Sequence, residues 1–370
     1  MKTLVIGGSG SSGVPVVEGL LRRGHEVTVL HRGVHEPPEL PDVEHLHADP
    51  HFAETLTEAI GTREFDVVLA MYGRVATIAD VFAGRCGQLV SIGAVPAYRG
   101  CLEPDAVKPY GMALWAREDG PLADSADYVP KFAKLIRGAE AAVLERSAAG
   151  AYRGSVVRYP AIYGPRNLVP WEWSVIRRVL DGRERMILPD NGLWIISRCA
   201  ARNAAEVVLK VVDQPDTADG QAYNAADDDQ LTVRQWAEAI ATVMGAELDF
   251  VGMPSELCPS TLLELVPPTG RPHITVDNTK AKVELGYRQV VTASEAMVEA
   301  VEWLKANPVT KEAYPLYPGR FDYVAEDRLI DTYAQAVEWV RQHSPDEAPD
   351  YRHPMPHPKT AAVGRDESGR

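Results

Sequence analysis

The sequence predicts an α/β protein built on a doubly wound parallel sheet, with a smaller C-terminal lobe and a C-terminal extension. Three observations carry that expectation. A short strand, a glycine turn and a helix open the chain. β-Branched runs then alternate with helical stretches as far as residue 158. After residue 165 the alternation gives way to tryptophan- and proline-bearing segments.

The elements follow in order. Lys2–Ile6 is a β-branched and leucine run, read as a buried strand. Gly7-Gly8-Ser9-Gly10-Ser11-Ser12-Gly13 comes next. It satisfies G-x-G-x-x-G through Gly8, Gly10 and Gly13, and G-x-x-G-x-x-G through Gly7, Gly10 and Gly13. Val14, Val16, Val17, Leu20 and Leu21 share one face of a helix, with Pro15 in its first turn and Gly24 at its end. Residues 26–30 form a second strand. This is the context of a Rossmann-type dinucleotide site. Glycines allow the tight turn and let a pyrophosphate approach the backbone at the positive end of the helix. Gly7, Gly10, Ser11, Ser12 and Gly13 are therefore candidate cofactor contacts. His31-Arg32-Gly33 ends the second strand. An acidic residue there would bond the ribose hydroxyls and favour NAD. Arg32 can instead pair with a 2′-phosphate, so NADP is expected and NAD stays open.

A third strand is expected at 43–48, a helix at 52–61 and a fourth strand at 65–70. The end of that strand, Ala70-Met71-Tyr72-Gly73, should lie along the cofactor, because ligands bind outside the carboxyl ends of the strands. His45 and His47 alternate on one face, with His25, His31, His35 and His51 nearby. No carboxylate or cysteine spacing supports a metal, and none is expected. A fifth strand at 88–93, a loop at 99–127, a helix at 131–147 and a sixth strand at 154–158 complete the sheet pattern.

Composition narrows the function. The chain has 370 residues, 45% of them hydrophobic and 24% charged, which is room for a large core and two lobes. The net charge of −14, from 38 basic and 52 acidic residues, argues against nucleic acid as a partner. The four cysteines form no C-x-x-C pair, so neither a disulfide framework nor a zinc site is expected. No signal peptide or bilayer-length apolar run is present, and a soluble cytoplasmic protein is expected.

The chain resembles the extended short-chain dehydrogenases/reductases, also called the NAD-dependent epimerase/dehydratase family, over roughly residues 2–305. The resemblance rests on the glycine turn, on Asp49 after the third strand, and on Glu118-Asp119-Gly120-Pro121-Leu122. It also rests on Arg158-Tyr159-Pro160 with Tyr163-Gly164-Pro165, on Gly220-Gln221-Ala222-Tyr223-Asn224 before Leu231-Thr232, and on Asp277 through Tyr287. It implies that Asp49 and Tyr159 line the cofactor. It also implies a Ser/Thr after the fifth strand and a Y-x-x-x-K-x-x-x-E helix. The tyrosine moves a proton to or from the substrate oxygen, and the lysine lowers its pKa and holds the nicotinamide ribose. Here the pattern departs. Anchored on Glu140, the tyrosine position holds Phe132 and the lysine position holds Ile136, while the serine position falls near Ser91 or Gly93.

Two readings follow. The acid chemistry has moved, with Tyr128 and Lys131 as candidates beside Ser91, and Tyr98 and Tyr72 as alternatives; or hydride chemistry has been lost. The expected activity is an NADP(H)-dependent oxidoreductase acting on a carbonyl or hydroxyl of a small aromatic or apolar molecule. The alternatives are a sugar epimerase or dehydratase with retained cofactor, and a cofactor-binding protein without turnover. Expected domains are 1–165 with 196–225 for the cofactor, 166–195 with 226–325 for substrate, and 326–370 as a helix and tail. Trp171, Trp173 and Trp194 are expected either at the pocket entrance or as lobe core, residues 254–272 as a lid, and Arg271 at a phosphate. No membrane is expected as a partner, and a homodimer is left open.

Overall fold

The computed structural model describes residues 1–33, 37–123, 130–266, 273–315, 317, 319–344 and 346. The first compact unit, 1–321, contains β1 (Lys2–Ile6), α1 (Gly13–Arg22), β2 (Glu26–His31), β3 (Glu44–His47), α2 (Ala53–Ile60), β4 (Phe65–Ala70) and α3 (Val75–Val81). β5 (Cys86–Ala94), α4 (Lys131–Ala148), β6 (Arg153–Tyr159), β7 (Ala161–Tyr163), α5 (Trp173–Leu180), β8 (Arg185–Pro189) and β9 (Arg198–Ala200) follow. The unit closes with α6 (Ala201–Asp213), α7 (Pro215–Ala218), β10 (Ala222–Asn224), α8 (Val233–Val243), β11 (Asp249–Met253), α9 (Pro259–Leu265), α10 (Thr279–Glu284) and α11 (Ala293–Ala306).

Seven parallel strands form the central sheet in the order β10-β6-β5-β4-β1-β2-β3. The strands are apolar on both faces because helices cover both. Val5, Val29, Val67 and Leu69 pack on α1 and α6 through Val16, Val17, Leu20, Val208 and Val212. Their alternating neighbours Leu4, Ile6, Leu30 and Val68 pack on α2, α3 and α4 through Leu56, Ile60, Ile78, Ala142 and Val143. The order reverses at β1, which lies between β4 and β2, so the glycine turn opens onto the crevice where doubly wound sheets bind ligands.

A second cluster joins α5, α8, α9 and α11 to the two-stranded β8–β11 sheet. Trp173 and Trp194 are 2% and 6% exposed within it, and Trp171 packs against it. That excludes the tryptophan-lined entrance: these indoles build the lobe core. Residues 254–266 are likewise no free lid, since Leu262, Leu265 and Val266 are buried in the same cluster. Arg271 and 267–272 lie outside the described residues. In the second unit, α12 (Tyr323–His343) buries Ile330, while Ala336 and Val340 are exposed.

Candidate functional site

The glycine turn is shaped for a bulky anion. Gly7 has φ +87 and donates its N–H to Leu30 O at 2.9 Å. A Cβ on Gly13 would collide with the backbone of Gly8, so turn and helix approach as only glycine permits. A Cβ on Gly10 would meet nothing within 4 Å, which leaves open space at the N-terminus of α1. Ser11 Oγ donates to Pro165 O at 2.9 Å and ties the turn to the loop after β7. Ser12 is buried beside the hydroxyl of Tyr159, whose phenol is pushed up by burial. These residues fit a dinucleotide pyrophosphate: a side-chain-free cradle, a helix N-terminus and closely packed hydroxyls.

Other cofactor candidates border the same edge of the sheet. Arg32 follows β2, exposed, with its guanidinium 5.4 Å from the centre of the Tyr72 ring. Ala70 ends β4 fully buried, and Tyr72 beyond it is 41% exposed. Asp49 accepts from His51 N at 3.1 Å and pairs with His51 Nδ1 at 2.7 Å; that hydrogen bond holds its carboxyl below the usual range.

Of the expected catalytic residues, Ser91 lies in β5 and Lys131 begins α4. β5 runs on to Ala94, so Ser91 lies three residues inside the strand, 2% exposed and paired in register with Ala70 and Val156. Gly93 and Ala94 occupy the end of the strand. Lys131 is the exposed first residue of α4. Tyr128 lies outside the described residues.

The register of α4 is set by Glu140. Its carboxylate, 1% exposed, accepts from Arg158 Nε at 2.9 Å and Arg158 Nη2 at 3.0 Å. Phe132, Ile136 and Glu140 recur every four residues and form one stripe. Phe132 is 58% exposed and Ile136 half-buried, so two hydrocarbon side chains stand along the stripe. Arg158 Nη1 donates to Tyr98 Oη at 3.0 Å, and Tyr98 in turn donates to Asn224 Oδ1 at 2.8 Å. Burial pushes the Tyr98 phenol up, so its proton is held in this network. Glu118, also raised by burial, accepts from Asn224 N at 2.7 Å.

Sequence reasoning missed a cavity of about 340 Å³ in the loop after β5, lined by Tyr98, Tyr110, Met112, Trp115, Arg99 and Arg117. Trp115 holds φ +52 and donates its N–H to Thr275 Oγ1 at 2.7 Å, a strained backbone secured by a distant segment. The only signal was aromatic residues alternating with arginines in a stretch read as loop.

No family model matches the chain. It is 28% identical over 262 residues to a 3-diazoavenalumate denitrifying reductase from Streptomyces, covering 66% of this chain and 82% of that protein. Solved structures share the fold. A UDP-glucose 4-epimerase from Thermotoga maritima with UDP-glucose aligns with TM-score 0.66 and 17% identity, over 83% of this chain and 99% of that one. A dTDP-glucose 4,6-dehydratase from Bacillus anthracis in complex with NAD aligns with TM-score 0.64 and 17% identity, over 85% and 99%. The fold is that of the NAD-dependent epimerase/dehydratase proteins. No described helix is long and apolar enough to cross a membrane.

Proposed function

We propose that this chain is an NADP(H)-dependent reductase that delivers hydride to a small diazo-bearing acid and releases dinitrogen, without a protein proton donor. One observation supports the reading: counted from the buried Glu140, the α4 stripe carries Phe132 and Ile136 at the positions where the family resemblance implies a tyrosine and a lysine. Reduction of a carbonyl consumes hydride and a proton, and general acid catalysis of that proton is typically worth about a hundred- to ten-thousandfold. Reduction of a diazonium carbon needs no proton. A C–H bond forms, the C–N bond breaks, and its electron pair leaves with N₂.

When bound, a reduced nicotinamide supplies the hydride. Gly7, Gly10, Ser11, Ser12 and Gly13 would hold the pyrophosphate, and Arg32 the 2′-phosphate. Phe132 and Ile136 carry no ionisable proton to offer such an electrophile. The cavity edged by Tyr98, Tyr110 and Trp115 suits a small aromatic or apolar molecule, with Arg99 and Arg117 at hand for a carboxylate. The reading of the relative's name points the same way. Sugar epimerisation, by contrast, needs a proton moved in each direction at a hydroxyl.

The experiment is turnover of an aryl diazonium acid with NADPH, following N₂ and cofactor oxidation together. One N₂ per NADPH is expected, at a rate at least a hundredfold above the Gly10→Val protein. Tyr128→Phe should change it by less than about threefold. Turnover of a carbonyl substrate that collapses in Tyr128→Phe would overturn this reading and make Tyr128 the acid.

A further inference from the structure

Three histidines meet at the carboxyl ends of β2 and β3. His45 and His47 alternate on β3 and so share a face of the sheet. His31, the last residue of β2, is the register partner of His47. His31 Nε2 and His45 Nδ1 lie 2.7 Å apart. The rings of His31 and His47 meet edge-on with centroids 4.9 Å apart. One ring nitrogen from each of the three lies within 4.8 Å of the others. Exposure grades from His31, 6%, through half-buried His45 to exposed His47.

We propose that His31, His45 and His47 bind a divalent transition-metal ion of the zinc class. Zinc takes imidazole nitrogens at about 2.0–2.1 Å, which in a tetrahedron separates them by roughly 3.3 Å. The observed spacing brackets that value, so side-chain adjustments suffice. A His-x-His pair on one strand and a third histidine on its neighbour supply three ligands on one side of the ion. The donor set selects the metal: imidazoles suit zinc, cobalt, nickel and copper, whereas magnesium and calcium need oxygen ligands. Among the described residues, the carboxylates of Glu44 and Asp49 are engaged elsewhere, Glu44 with Thr28 and Arg63, and Asp49 with His51.

In the metal-free chain a proton serves in place of the ion. The short His31–His45 contact closes only when one nitrogen carries a proton and the other does not. Gly33 N–H donates to His31 Nδ1 at 3.0 Å, which leaves that shared proton on His31 Nε2. Ligation through Nε2 moves that proton to Nδ1 and requires Gly33, at φ +75, to turn its N–H aside. The site takes no part in the proposed hydride transfer, although His31 and Gly33 flank Arg32.

The test uses the full chain, prepared without a polyhistidine tag and stripped with a chelator. Titration with Co²⁺ should give the visible d–d bands of a tetrahedral complex, saturating at one equivalent and displaced by Zn²⁺. His45→Ala and His47→Ala should each weaken binding by about a hundredfold. Unchanged circular dichroism in His47→Ala, an exposed position, keeps the comparison sound. Replacing His353 and His357 of the tail together should leave binding unaltered. No stoichiometric complex with micromolar metal would overturn the proposal, as would binding that survives His45→Ala and disappears with the tail histidines.

Discussion

The proposed cofactor reading rests most heavily on two residues, Gly10 and Arg32. The space around Gly10 is open, so Gly10→Val should fold normally and lose cofactor. Calorimetric titration should show NADPH affinity lowered by at least about a hundredfold, with an unchanged thermal midpoint. Arg32→Ala should remove most of the preference for NADPH over NADH, read by the same titration; equal affinities in the parent would exclude Arg32 as the discriminating group. Both residues were singled out in the sequence because the roles proposed for them depend on a turn and a strand end, which local spacing reports. The packing of the tryptophans was not legible: whether an indole faces a pocket or a core is decided by partners far along the chain. For Trp194 those partners are Trp236 and Met297, and no local pattern names them.

At the scale of elements, α4 is held by one buried ion pair. Removing one member of such a pair leaves an uncompensated charge and typically costs about 3–5 kcal/mol. Glu140→Ala should lose stability of that order in urea unfolding. Glu299→Ala, which breaks the half-exposed Arg202–Glu299 pair, should lose less than about 1 kcal/mol. Similar losses in the two variants would show that Glu140 does not set the helix register. The strands and α4 were readable from apolar runs and from the Glu140 anchor. α3 was not: seven residues carry two buried side chains, Ile78 and Ala79, too short a stripe for periodicity to show. The cavity in the loop after β5 escaped notice because no regular element marks it; the backbone at Trp115 is held by Thr275, 160 residues away.

Across the whole molecule the alternating pattern specified the parallel sheet, because apolar strands separated by helices have few other solutions. The second lobe was visible only as a break in that pattern. Its buried Glu172 predicts a pH dependence of stability. Burial pushes this carboxyl from 4.5 up to about 7, with Arg198 partly opposing the shift. The folded chain then keeps a proton that the unfolded chain has released. Its contribution is full below about pH 4.5 and is lost as pH rises toward 7, by roughly 3 kcal/mol at most. Glu118 and Asp227, also raised by burial, act in the same direction. Glu172→Gln should flatten the fall in stability between pH 5 and 8; an unaltered slope would assign it to other groups. The central claim, hydride transfer without a proton donor, is tested most directly by the origin of the new hydrogen. Turnover of an aryl diazonium acid with 4-deuterated NADPH in ordinary water should place one cofactor deuterium on the carbon that lost nitrogen, at a rate within about threefold in parent and Phe132→Tyr. Hydrogen drawn from solvent at that carbon, or a large gain in rate from the restored phenol, would contradict it.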